Sequence, residues 1–116
     1  MKEINVSKIT DAVKELCIKA NKNLPCDIIC KITEFKDNES NERAVSILED
    51  LEKNIEVSSK TDLPICQDTG MAVVFLKVGQ DVHLVGGDLT EAVNEGVRQG
   101  YEIGLLRKSV VADPIR

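Results

Sequence analysis

Apolar positions recur along the first half of the chain with the spacing of helices. From Ser7 onward, Ile9, Ala12, Val13, Leu16, Cys17 and Ala20 form one stripe while Lys8, Asp11, Lys14 and Lys19 stay on the wet side. Pro25 suits a first helical turn, and Ile28, Ile29, Ile32 and Phe35 predict a short second helix ending near Lys36. The polar run Asp37-Asn38-Glu39-Ser40-Asn41 reads as a loop. A third helix follows, with Ala44, Ile47, Leu48, Leu51 and Ile55 on its inner face.

The pattern changes at the polar connector Ser58-Ser59-Lys60-Thr61-Asp62, closed by Pro64. Residues 71–78 are mostly apolar and valine-rich, which predicts a buried strand. Gly79-Gln80-Asp81 would turn it into a second strand over 82–85. Asp88-Leu89-Thr90-Glu91 has the form of a capping box and opens a fourth helix that runs to about Ile103. Its core face is read as Leu89, Ala92, Val93, Val97 and Tyr101. Gly96, Gly100 and Gly104 fall four residues apart, at a cost of about 1 kcal/mol each relative to alanine, so another backbone is expected to approach there. Ser109 to Val111 would make a last short strand before Asp113-Pro114. The fold class is α+β: N-terminal helices over about 6–58, then a motif loop, a small sheet and a packed helix over about 62–113, in a single partial domain.

Composition narrows the functions. The chain has 116 residues, 42% apolar and 30% charged, the balance of a soluble globular protein. A net charge of −5 and three aromatic residues argue against a nucleic-acid partner. The start of the chain has no apolar stretch of signal type, and no run has membrane-spanning length, so a cytoplasmic protein is expected. Cys17, Cys26, Cys30 and Cys66 are accordingly read as reduced thiols or metal ligands.

Chemistry concentrates in Pro64-Ile65-Cys66-Gln67-Asp68-Thr69-Gly70, a thiol, an amide, a carboxylate and a hydroxyl in one loop ahead of an apolar run. A capped turn with a merely packed Cys66 is the simplest reading of these residues. A nucleophilic Cys66 is disfavoured by Asp68, and the single histidine, His83, falls in a predicted strand. A zinc site is disfavoured by spacing: Cys26 and Cys30 sit one helical turn apart, but Cys17 and Cys66 are isolated, and Cys26 and Cys30 read as buried small hydrophobes. A third reading makes Cys66 one thiolate of an iron–sulfur cluster, whose other ligands would lie elsewhere.

The loop 64–70, followed by Val73-Val74-Phe75, Val78-Gly79-Gln80, Gly96-Val97-Arg98-Gln99-Gly100-Tyr101 and Leu106-Arg107-Lys108-Ser109-Val110-Val111-Ala112-Asp113-Pro114, closely resembles the α-subunit of class I iron–sulfur fumarate hydratases and their tartrate dehydratase relatives. The resemblance covers residues from about Val6 to Arg116 and is most specific from Pro64 onward. It implies the N-terminal part of a [4Fe-4S] hydro-lyase α-type domain that interconverts fumarate and malate and is inactive alone. By resemblance, Cys66 is one cluster ligand, Gln67 and Asp68 contact substrate, Asp68 also handles a proton, and Arg107 grips a substrate carboxylate. A hydro-lyase β subunit or C-terminal part is the implied partner, in a homo-oligomer or heteromer. The family's two further cluster cysteines and its histidine have no match here, and Cys17, Cys26, Cys30 and His83 do not replace them. A tartrate dehydratase component, and a non-catalytic association domain, are the alternatives.

Overall fold

The computed structural model describes residues 1–65, 71–110, 113 and 115. The loop motif from Cys66 to Gly70 lies outside the described residues, as does Val111 of the expected last strand. The order of elements is β1 (Lys2–Asn5), α1 (Val6–Lys22), α2 (Cys26–Asn38), α3 (Glu42–Thr61), β2 (Val82–Val85) and α4 (Leu89–Ile103). This is the mixed α+β composition expected, mostly helical, with a two-stranded sheet. No described helix is long and apolar enough to cross a membrane. The chain divides into two compact units, residues 1–18 with 68–116, and residues 19–67.

In the first unit, β1 and β2 pair in parallel, Lys2 opposite Val82 and Asn5 opposite Val85. β1 is polar and largely exposed, so its periodicity gave no sign of a strand. Backbone pairing with a segment distant in sequence makes it, extended by the Lys2 N–H donating to the Asp81 carbonyl at 2.8 Å. Asn5 then starts α1, its Oδ1 accepting from the Ser7 N–H at 2.9 Å. Gly86 follows β2 with φ +90°, a conformation that strains any residue with a Cβ, and a Cβ there would also displace the Asn5 side chain, whose Nδ2 would lie 2.6 Å away.

Asp88 caps α4 as expected, its Oδ1 accepting from the Glu91 N–H at 3.0 Å. The helix packs on α1 along its smallest residues. A Cβ on Gly96 would lie 2.7 Å from the Thr10 carbonyl oxygen and 2.8 Å from Val13 Cβ; one on Gly100 would lie 2.8 Å from Cys17 Cβ and 2.9 Å from the Lys14 carbonyl oxygen. The Thr10 hydroxyl donates to the Ala92 carbonyl at 2.9 Å across the same seam. Val6, Val13, Ala92 and Leu106 are the buried apolar side chains of this unit. The expected approach of another backbone to these glycines is thus present, while Val93, Val97 and Tyr101 flank the seam half-buried. The α1 stripe is turned relative to the expected one: Ala12, Leu16 and Ala20 are exposed, and Thr10, Val13, Lys14 and Cys17 face inward or part-inward. The cause is the narrow glycine seam, which draws α1 in along its Thr10–Val13–Cys17 line rather than along its most apolar line.

Among the described residues, neither the expected strand over 71–78 nor the described part of the expected last strand is formed. Residues 71–78 have no regular secondary structure and are largely exposed, and 107–110 are likewise irregular. An apolar run becomes a strand only where a second strand meets it, and β2 instead pairs with β1. The turn before β2 is as expected, with the Val82 N–H donating to the Gly79 carbonyl at 3.1 Å.

In the second unit, α2 and α3 form a helical hairpin joined by a short loop. Asn41 caps α3, accepting from the Arg43 and Ala44 amides. A polar contact ties the pair: Glu52 accepts from the Thr33 hydroxyl at 2.7 Å and from Lys36 Nζ at 2.5 Å. The bond to Lys36, with Thr33 adding to it, holds the Glu52 carboxyl below the usual range, and Glu52 in turn raises Lys36. The inner faces are offset by about one position from those expected. Ile29, Ile32 and Thr33 of α2 and Leu48, Glu52 and Ile55 of α3 are half-buried, whereas Ile28, Phe35, Ile47 and Leu51 are exposed.

The connector at 58–62 is not a loop; α3 continues through it to Thr61 and stops at Asp62, which has φ 58° in the left-handed region. Ser58 is only 3% exposed and is the buried polar side chain of the described residues. Its single hydroxyl proton is shared between the carbonyl oxygens of Leu63, at 2.5 Å, and Lys22, at 3.1 Å.

Two substitutions test these contacts. Gly96→Ala lowers the urea midpoint of the first unit, corresponding to about 1–3 kcal/mol from overpacking, against a propensity gain of about 1 kcal/mol; a stabilised variant contradicts the close seam. Ser58→Ala costs about 1 kcal/mol because two part-buried carbonyls lose the hydroxyl they share, read as a lower midpoint and faster exchange of the Ile65 amide. An equal loss in Ser59→Ala, at an exposed position, would remove the special role of Ser58.

Candidate functional site

Of the residues expected to carry chemistry, Arg107 is described, while Cys66, Gln67 and Asp68 lie outside the described residues, as do Thr69 and Gly70. The segment leading into that loop is held by specific contacts. Asp62 ends α3 and pairs with Lys22 Nζ at 2.9 Å. Ser58 then holds the carbonyl of Leu63, and the Ile65 N–H donates to the Asn21 carbonyl at 2.8 Å. Three successive attachments, at Asp62, Leu63 and Ile65, therefore fasten the chain to the ends of α1 and α3 immediately before Cys66. Pro64, between them, has no N–H to satisfy and resists continuation of the helix. The sequence reading missed this anchor because it placed Ser58 in a connector; continuing the α3 spacing three residues on from the half-buried Ile55 would have put Ser58 on the inner face.

Arg107 is positioned by the end of α4. The Gly104 N–H donates to the Gly100 carbonyl at 2.9 Å and the Leu106 N–H to the Tyr101 carbonyl at 3.0 Å. Between them Leu105 sits at φ 52°, a left-handed conformation that costs a non-glycine residue about 1–2 kcal/mol. Leu106 is turned inward and buried while Leu105 is 86% exposed, and the chain leaves the helix with Arg107 on the surface.

The other arginine of this region is already committed. Arg98 Nε and Nη2 donate to the two oxygens of Glu95 at 2.7 and 2.6 Å, and Nη1 donates to Glu102 at 2.7 Å. The Arg98 bonds, with one from Gln99, pull the Glu95 carboxyl down to about 2, and Arg98 itself is held more firmly protonated. Glu102 also lies 3.8 Å from Lys108 Nζ. Among the described residues no carboxylate pairs with Arg107.

The described cysteines do not assemble a metal centre. Cys17 packs against Gly100, and burial pushes its thiol up, away from the thiolate a ligand needs. Cys26 and Cys30 are exposed, not the buried small hydrophobes expected, because the first turn of α2 presents that side to solvent. His83 is exposed on β2, opposite Glu3. Among the described residues no three of histidine, cysteine, aspartate and glutamate are grouped to hold a metal ion. These residues do not fit an iron–sulfur cluster on their own.

Comparison with known proteins gives the relationship. Residues 10–116 match the family model described as fumarate hydratase (Fumerase). A protein of Methanocaldococcus jannaschii provisionally named L(+)-tartrate dehydratase subunit alpha is 35% identical over 105 residues, which are 90% of this chain and 37% of that protein. The L(+)-tartrate dehydratase subunit alpha of Escherichia coli K12 is 27% identical over 110 residues, 95% of this chain and 36% of that protein, and the same figures hold for its Shigella sonnei counterpart. The chain spans little more than a third of the length of these relatives. With a family match running from the second turn of α1 through the motif loop, α4 and Arg107, the chain belongs to the fumarate hydratase (Fumerase) family.

Proposed function

We propose that this chain contributes one part of a hydro-lyase active site acting on a dicarboxylate, as the N-terminal portion of an α-type subunit that is inactive alone. The observation that carries this reading is the family match over residues 10–116, which takes in the loop Pro64-Ile65-Cys66-Gln67-Asp68-Thr69-Gly70 together with Arg107. Hydration of fumarate to malate is the first assignment. Dehydration of tartrate is the second, favoured by the names of the relatives from Methanocaldococcus and Escherichia coli.

Both reactions share one chemistry. In the dehydrating direction a base removes a proton from the carbon next to the one bearing the hydroxyl, the double bond forms, and the hydroxyl leaves as water on accepting a proton. Asp68 is assigned to proton handling, since a carboxylate in a loop beside the substrate suits that task. Arg107 is assigned to one substrate carboxylate, which a guanidinium grips with two parallel hydrogen bonds. Gln67 is assigned to a further polar contact. The anchor at Asp62, Leu63 and Ile65 supports this reading, because a loop held at its entrance keeps such groups in register at less entropic cost.

Cys66 is assigned as one thiolate ligand of a [4Fe-4S] cluster. One thiolate does not hold a cluster, so the remaining ligands belong to the rest of the α-type subunit, and a β subunit completes the partner set. A cytoplasmic setting accords with the reduced thiols this assignment requires.

Two variants test the assignments, with the chain assembled anaerobically with the remainder of the Methanocaldococcus α subunit and its companion subunit. Cys66→Ala abolishes cluster absorbance and turnover while the far-ultraviolet circular dichroism is kept; unchanged absorbance and turnover rule out the ligand role. Arg107→Lys raises KM for the dicarboxylate by roughly 10–100-fold, from loss of a bidentate charged contact of about 1.5–3 kcal/mol, with a smaller change in kcat. An unchanged KM removes Arg107 from the substrate site.

A further inference from the structure

The segment 71–78, Met71-Ala72-Val73-Val74-Phe75-Leu76-Lys77-Val78, has the composition of a central strand and the surroundings of none. Its apolar residues do not alternate with polar ones: Met71, Val73 and Phe75 would face one side and Ala72, Val74, Leu76 and Val78 the other. A run apolar on both sides belongs to a strand covered on both faces. Here Phe75 is 93%, Met71 73% and Val73 69% exposed, and Val74, Leu76 and Val78 are also open to solvent. None of the backbone hydrogen bonds among the described residues involves 71–78. The neighbouring sheet has two parallel strands, fewer than a sheet needs for independent stability, and parallel strands are otherwise found with both faces covered.

The relatives indicate what supplies the cover. This chain aligns with them along nearly all of its own length but with only 36–37% of theirs, so each relative carries a much longer stretch of α subunit beyond the matched part. We propose that 71–78 is a docking strand for that remaining part of an α-type subunit: it pairs its backbone with a strand of the remainder while apolar side chains of the remainder cover Met71, Val73 and Phe75. The proposal rests on the hydro-lyase α-subunit reading for the identity of the occupant. A second copy of this chain fits less well, because pairing two identical 71–78 edges satisfies one backbone edge but brings no further layer over the Phe75 side. Docking here also bears on the site, since the strand begins one residue after the motif loop ends.

The test uses the intact 116-residue chain and, as probe, the separately expressed part of the Methanocaldococcus α subunit outside the matched 105 residues. On mixing, the amides of 72–78 gain protection from hydrogen exchange, and Val73→Asp and Phe75→Lys each weaken binding at least about tenfold, the loss typical of a buried apolar anchor. Ile47→Lys, at an exposed position of α3 in the other unit, leaves the affinity unchanged, and circular dichroism shows that all three variants fold. Undiminished binding by both 71–78 variants, absence of binding, or unprotected 72–78 amides would overturn the proposal. So would self-association of the chain alone that Val73→Asp abolishes, which would make a second copy the occupant. Binding with protection at 72–78 but no hydro-lyase turnover after the companion subunit, iron and sulfide are added anaerobically supports the docking strand and counts against the catalytic reading, so the two fail separately.

Discussion

The approach of α4 to α1 along Gly96 and Gly100 is the constraint on which the first unit depends. Each glycine costs its helix about 1 kcal/mol relative to alanine. In return the two backbones come so close that no Cβ fits, and the Thr10 hydroxyl reaches the Ala92 carbonyl. A seam made of backbone and small side chains is dense but buries little apolar area, so dispersion contacts over the close surfaces replace bulky side chains as the source of cohesion. No side chain among the described residues is fully buried, and Val6, Val13, Ala92 and Leu106 make up the buried apolar set. The seam also sets the geometry at the end of α4. It fixes α4, whose C-terminal turn at Gly104 and Leu105 brings Leu106 in and leaves Arg107 out.

The second unit is organised on a different principle. Its two long helices meet with a polar clasp of Thr33, Lys36 and Glu52, and its buried polar residue, Ser58, serves the backbone rather than a core. The consequence is a fastened entrance to the motif loop. Each unit thus uses specific contacts to fix its helix ends, while much apolar surface, including Phe35, Ile47 and Phe75, stays exposed.

How much of this was legible follows from the physics of each signal. The capping aspartate of α4 and the glycine spacing are local rules with one structural meaning, and both were readable in advance. The four helices were readable from periodicity, and the inner face of α4 is the expected one, but the buried faces of α1, α2 and α3 were offset, because residues such as Leu16, Ile28, Phe35, Ile47 and Leu51 are apolar without being covered. β1 was invisible: four mostly polar residues become a strand only through a partner distant in sequence. The run 71–78 was read as a strand and is not one, since a strand is a property of a pair. At the site, the motif loop was recognisable from residue types and order, whereas the Ser58 anchor depended on a helix end that the polar composition concealed. Arg107 was singled out by resemblance alone, whereas the pairing of Arg98 with Glu95 and Glu102 follows the i, i+3 and i, i+4 spacing of one helix.

The central claim is that the chain carries one thiolate and part of a dicarboxylate site, and that chemistry begins only when the remainder of the subunit joins it. The direct measurement is anaerobic incubation of the 116-residue chain alone with iron and sulfide, followed by absorbance, bound-iron analysis and assay of fumarate hydration and tartrate dehydration. The account predicts no stable cluster and no turnover in either assay. A stable cluster with hydration or dehydration activity in the isolated chain would contradict it.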